Sequence, residues 1–117
     1  MNTDGKKLVT VVSPAYEEAD VLPFFYSELI KVIDELSHSY NWEIIFVDDG
    51  SIDRTVGVLK DLRKGDKRVK WLSLSRNFGH QAALTAGVER ALGDAVIMMD
   101  SDLQHPVSLL PELIKQW

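Results

Sequence analysis

Short apolar runs alternate four times along this chain with longer stretches whose hydrophobic residues recur every three or four positions. Leu8-Val-Thr-Val-Val-Ser13, Glu43-Ile-Ile-Phe-Val-Asp48, Val69-Lys-Trp-Leu-Ser-Leu74 and Ala95-Val-Ile-Met-Met99 are apolar or β-branched and too short for helices, so each predicts a strand. The last run lacks alternation and predicts a strand buried on both faces. After the first strand, Leu22, Phe25, Leu29, Val32 and Leu36 recur at helical spacing, predicting a helix that ends near His38. Asp20 is its expected N-cap, and Pro23 is tolerated in the first turn. Val56, Leu59 and Leu62 predict a second helix, capped by Asp53 and stopped at Gly65. A third runs from Gln81 to Leu92 and closes at Gly93; its Ala82, Ala83, Ala86, Gly87 and Ala91 allow close approach to a sheet. Pro106 begins a last helix carrying Leu109, Leu110, Leu113, Ile114 and Trp117. Four strand–helix repeats imply an α/β fold, Rossmann-like, with a mostly parallel sheet and helices on both faces.

At 117 residues the chain fits one domain, and 45% hydrophobic with 26% charged residues is the composition of a soluble globular protein. Its net charge of −5, from 13 basic and 18 acidic side chains, argues against a basic stripe and so against nucleic acid as partner. An anionic substrate would need a metal ion or helix N-termini to offset repulsion. With no cysteine, disulfides and thiolate chemistry are excluded. No apolar run approaches the ~20 residues of a membrane span, and Met1-Asn-Thr-Asp-Gly-Lys-Lys does not read as a signal peptide, so a soluble chain is expected.

In a parallel α/β sheet every strand's carboxyl end faces one rim, where ligands bind. Here those ends are Ser13-Pro-Ala-Tyr-Glu-Glu, Val47-Asp-Asp-Gly-Ser, Ser75-Arg-Asn-Phe-Gly and Met99-Asp-Ser-Asp-Leu-Gln. All four are polar, which is hard to attribute to solvated turns alone. Neither Gly-x-Gly-x-x-Gly nor Gly-Lys-Ser/Thr occurs, which removes the main support for dinucleotide and P-loop sites. Asp100 and Asp102 can converge on one hard cation, with Gln104 as a further oxygen donor; a plain surface turn with solvated acids fits the same local pattern. Asp48 and Asp49 suit ligand binding or turn capping, Tyr16 a pocket or a packed loop, and Glu18 a pocket or a first helical turn. Arg76 suits the surface or an anionic partner, and Asn77 and Gly79 suit a site or merely the turn. His80 and His105 read as polar loop residues, and Met98 and Met99 as core.

Taken together, these motifs resemble glycosyltransferase family 2, with the GT-A fold. Ser75-Arg-Asn-Phe-Gly-His-Gln-Ala-Ala with Gly93-Asp-Ala-Val-Ile-Met-Met-Asp-Ser-Asp-Leu-Gln-His-Pro is similar to the polyprenyl-phosphate branch, which includes dolichol-phosphate mannose synthases and bactoprenol glucosyltransferases. The resemblance implies a strand order 3-2-1-4 and the N-terminal half of a GT-A fold. It implies that Pro14, Ala15, Tyr16 and Glu18 line a nucleotide-sugar pocket, that Asp48 or Asp49 or both bond the base, and that Ser51 lies beside them. It also implies that Arg76, Gly79, Asp100 and Ser101 belong to the donor site. Asp100 and Asp102 are the implied Asp-x-Asp pair and catalytic residues, holding Mg²⁺ or Mn²⁺ with Gln104. Glu17 stands where the family usually has Asn.

The implied reaction moves a sugar, with inversion, from a UDP-glucose- or GDP-mannose-type donor to a polyprenyl phosphate. A lipid phosphate is already ionised and needs no general base. Family members continue through an acceptor-binding half, so residues 1–117 are expected to be the nucleotide-sugar-binding portion, inactive alone. The chain itself is expected in the cytoplasm, and its full-length parent at the cytoplasmic face of the membrane. The fourth strand is then an apolar edge that invites pairing between copies. Two other readings compete. One is a nucleotide-sugar-binding fragment that never catalyses. The other is a signalling receiver domain, which wants an acid pair after its first strand and an Asp after its third, where this chain has Ser13-Pro14 and Ser75-Arg76.

Overall fold

The computed structural model describes residues 5–100 and 110–115. In chain order the elements are β1 (Lys7–Ala15), α1 (Leu22–Leu36), β2 (Tyr40–Asp48), α2 (Thr55–Gly65), β3 (Val69–Ser73), α3 (His80–Arg90), β4 (Ala95–Met98) and α4 (Leu110–Lys115). The four strands form one parallel sheet in the order β3-β2-β1-β4, as expected. Its register pairs Ala15 with Asp48 and Asp48 with Ser73, which brings three strand ends level on one rim.

Strand alternation divides the interior in two. Val9, Val11 and Ala15 of β1 and Ile44 and Phe46 of β2 pack with Leu22, Phe25, Leu29 and Ile33 of α1, Leu59 of α2, and Leu110 and Ile114 of α4. On the other face Val12, Ile45 and Val47 meet Ala83 of α3. The small residues of α3 matter here. A Cβ on Gly87 would lie 2.4 Å from Val12 Cγ1 and 3.0 Å from Val47 Cγ2, so glycine lets the helix settle onto the sheet.

Several expectations need correction. Asp20 does not cap α1. The N-cap is Val21, with no side-chain bond, and the Glu18 carbonyl accepts from Val21 and Leu22 N–H instead. Asp20 pairs with Arg54 at 3.2 Å. Ile33, not Val32, completes the buried stripe of α1. β1 runs on through Pro14 and Ala15, which had read as loop. Proline lacks the N–H that a ladder uses, and Pro14 lies beyond Val12, the last β1 residue that β4 pairs in register.

β4 is not buried on both faces. Val96 and Met98 are 38% and 58% exposed, while α3 lies over β1 and β2 and leaves this strand's outer side open. Met98 is therefore a surface residue, whereas Met99 is buried. The predicted helix start at Pro106 lies outside the described residues.

Two polar networks lock the sheet away from the rim. Buried Glu43 accepts Thr10 Oγ1, Lys70 Nζ and Leu92 N, each at 2.6 Å. Burial alone would raise its pKa, but the bonds from Lys70, Thr10 and Leu92 hold the carboxyl below its ordinary value. Asp66 accepts Tyr26 Oη at 2.6 Å and Arg68 Nη2 at 2.9 Å, tying α1 to the turn before β3.

Candidate functional site

The carboxyl ends of β1, β2 and β3 surround a cavity of about 220 Å³. β1 contributes Pro14, Ala15, Tyr16 and Glu18; β2 contributes Asp49; the loop after β3 contributes Asn77, Gly79 and His80. Tyr16 is 43% exposed, so part of the residue is open to a ligand.

Hydrogen bonds between the three loops hold the walls in place. After β1, Glu17 takes a left-handed conformation (φ 52°), and its N–H donates to Ser51 Oγ at 2.7 Å. Glu18 N–H donates to Thr55 Oγ1 at 3.0 Å, and Tyr16 N–H to the Glu18 carboxylate at 3.3 Å. Asp53 accepts Thr55 N–H at 2.9 Å and so acts at the start of α2, as expected, although Arg54 is the formal N-cap. The Thr55 hydroxyl bond, more than any other influence, holds the Asp53 carboxyl below its ordinary value.

The adjacent acids Asp48 and Asp49 do different things. Asp48 is 1% exposed, and its two oxygens accept Ser51 N–H at 3.1 Å and Ser73 Oγ at 2.9 Å. It lies behind the cavity wall as a structural tie. Asp49 lines the cavity while accepting Phe78 N–H at 2.9 Å and Gly79 N–H at 3.1 Å. A carboxylate accepts about four hydrogen bonds, so Asp49 keeps capacity for a ligand. Gly50, at φ +77°, lets the chain pass against the Arg76–Asn77 backbone, where a Cβ would come within 2.3 Å of Arg76 C.

The structure thus brings Pro14, Ala15, Tyr16, Glu18, Asp49 and Gly79 together and sets Asp48 and Ser51 behind them. Arg76 is off the cavity wall: its guanidinium lies over the Phe78 ring, 4.8 Å from the centroid. Asp100 reaches the site through His80, whose Nε2 is 3.4 Å from Asp100 Oδ1. Ser101, Asp102 and Gln104 lie outside the described residues. Among the described residues no three His, Cys, Asp or Glu side chains form a metal cluster. Asp100, with a 28% exposed carboxylate, offers the hard oxygen donor that Mg²⁺ or Mn²⁺ takes.

Sequence reasoning passed over Asn77 and His80 as turn and loop residues. Their position just past the third strand, beside Arg76 and Gly79, was the available signal.

The model of glycosyl transferase family 2 matches residues 10–117. The Escherichia coli K12 prophage bactoprenol glucosyl transferase homolog is 41% identical over 93% of this chain and 35% of its own length. The mannosyltransferase PcManGT of Pyrobaculum calidifontis, solved with GDP-Man and Mn²⁺, superposes with a TM-score of 0.79 at 23% identity, over 96% of this chain and 32% of that one. Glucosyl-3-phosphoglycerate synthase of Mycobacterium tuberculosis, solved with Mn²⁺, UDP and glucosyl-3-phosphoglycerate, gives a TM-score of 0.65 at 26% identity, over 93% and 39%. The chain spans about a third of the length of the curated relatives it matches. The fold is the expected GT-A arrangement, and the family model runs through every strand end that faces the cavity. This chain belongs to glycosyl transferase family 2.

Proposed function

We propose that this chain is the nucleotide-sugar-binding part of an inverting, metal-dependent glycosyltransferase that passes a sugar from a nucleoside diphosphate to a polyprenyl phosphate. The observation that carries the reading is the convergence of Tyr16, Glu18, Asp49 and His80, the last touching Asp100, on one cavity at the carboxyl rim. The bactoprenol relative supports the lipid acceptor, and the UDP and Mn²⁺ in the mycobacterial neighbour support the donor class.

In this reading Tyr16 offers its ring face to the base, and Asp49 accepts a base N–H with its remaining lone pairs. Uracil and guanine both carry such a donor, so the residues leave the base open. The Arg76 guanidinium, over the Phe78 ring and without a carboxylate partner among the described residues, supplies the positive charge for the diphosphate in this reading. Asp100, Asp102 and Gln104 would hold Mg²⁺ or Mn²⁺, which when bound supplies Lewis-acid neutralisation of the departing diphosphate. Donor binding belongs to this portion and acceptor binding to the remainder of a longer protein, so the portion alone is inactive. A lipid acceptor puts that longer protein at a membrane surface, although no described helix is long and apolar enough to cross one.

Titration calorimetry with UDP-glucose, UDP and GDP-mannose, with and without Mn²⁺, tests the reading. Metal-dependent binding of one nucleotide is expected; a folded sample that binds none would sink it. A non-catalytic binding fragment gives the same titration and separates only when the longer protein fails to transfer sugar to a polyprenyl phosphate.

A further inference from the structure

The net charge of −5 conceals a segregation. Seven of the 13 basic residues fall between Arg54 and Lys70, with only Asp61 and Asp66 to oppose them. The whole-chain balance therefore hides a locally basic stretch. This stretch is α2, the turn after it and the start of β3, the strand at one edge of the sheet.

Three of the seven are committed elsewhere. Arg68 pairs with Asp66 and Asp34, Lys70 with Glu43, and Arg54 with Asp20. Lys60, Arg63, Lys64 and Lys67 remain, all exposed and none paired with a carboxylate among the described residues. Two of the heads are held at this flank: Lys60 Nζ lies 5.8 Å from the Trp71 ring centroid, and Arg63 donates to the carbonyls of Lys67 and Val69. Those carbonyls satisfy hydrogen bonds without cancelling charge. A lysine on an edge strand discourages pairing between sheets, which accounts for Lys70. It does not account for cations on the helix beside it. Like charges gathered within eight residues repel, and an extended layer of anions relieves that repulsion.

We propose that Lys60, Arg63, Lys64 and Lys67 form a docking surface for an anionic phospholipid bilayer. The choice of lipid over another polyanion rests on the proposed lipid-phosphate acceptor, which obliges the donor half to work beside a headgroup layer. Each basic side chain at an anionic leaflet is worth about a fivefold gain in partition, and the attraction is lost beyond a Debye length of about 8–10 Å.

The test is co-sedimentation of the 117-residue chain with phosphatidylcholine vesicles containing about one-third phosphatidylglycerol. Binding is expected near 0.05 M salt, falling away at about 0.5 M, and absent with phosphatidylcholine alone. Lys60→Gln, Lys64→Gln and Lys67→Gln together are expected to lower partition about 100-fold without changing circular dichroism. An equal charge change outside the flank, Lys6→Gln, Lys7→Gln and Lys31→Gln, is expected to leave most of it. Equal loss from both triple variants, or equally tight binding of a short single-stranded RNA, would overturn the proposal. UDP titration of the same sample keeps the two readings apart: nucleotide binding without vesicle binding refutes this surface alone, and the converse refutes the donor site alone.

Discussion

Asp49 and Phe78 stand 29 residues apart, yet the Asp49 carboxylate accepts the Phe78 N–H at 2.9 Å, and its other oxygen accepts the next amide, Gly79, at 3.1 Å. One buried side chain therefore fixes the end of the loop leading into α3 while facing the cavity. Asp49→Ala should cost about 3 kcal/mol, because it strands two amides that a charged acceptor now satisfies. Asp49→Asn keeps one acceptor and should lose about half as much. Urea denaturation measures the cost, and amide exchange should quicken at Phe78 and Gly79 in both variants. Unchanged exchange there would mean that the carboxylate does not hold the loop.

Gly50 reinforces the same junction. Alanine there combines a left-handed backbone with a contact of 2.3 Å to main-chain atoms that no rotamer can relieve. Gly50→Ala should cost about 3 kcal/mol or more and weaken nucleotide binding. Gly65→Ala, where a Cβ meets nothing within 4 Å, should stay within about 0.5 kcal/mol of the parent. Thermal unfolding of the two variants checks the contrast.

Acid should loosen the tie between α1 and the turn before β3. Burial opposes ionisation of Asp66, but the bonds from Arg68 and Tyr26 outweigh it and lower the carboxyl from 3.8 to about 2. A lowered pKa stabilises the fold fully above the unfolded value near 4, and that contribution disappears as pH falls toward about 2. Its size is about 2 kcal/mol. Asp66→Asn should lower stability by about that amount at neutral pH and flatten the acid limb of the stability curve between pH ~4 and ~2. An acid limb unchanged in the variant would assign the pH dependence elsewhere.

The open side of β4 should make the chain associate. Val96 and Met98 are exposed on an edge strand, and Val88 and Leu92 are exposed nearby in sequence at the end of α3. Light scattering should detect concentration-dependent growth in mass, and Val96→Lys with Met98→Lys should suppress it. A strict monomer at high concentration in the parent would refute this.

The apolar runs and helical periods of this sequence were enough to set the number, order and type of its elements, because each short run must be buried and parallel strands require helical crossovers. Helix starts were less legible. Asp20 looks like a cap, but the chain turns earlier, on the Glu18 carbonyl, and the side chain finds Arg54 instead. Burial of β4 could not be read at all, since apolar composition does not say whether another element covers the strand.

The polar strand ends likewise pointed to the rim that carries the cavity, because parallel topology brings every strand's carboxyl end to one side. Only the tertiary structure could separate Asp48 from Asp49. The two are chemically identical neighbours, and what divides them is that Asp48 is the last residue in register with Ser73 while Asp49 is the first beyond the sheet. It alone brought His80 to Asp100 and Gly50 against Arg76, because contacts between loops depend on the packing of elements distant in sequence.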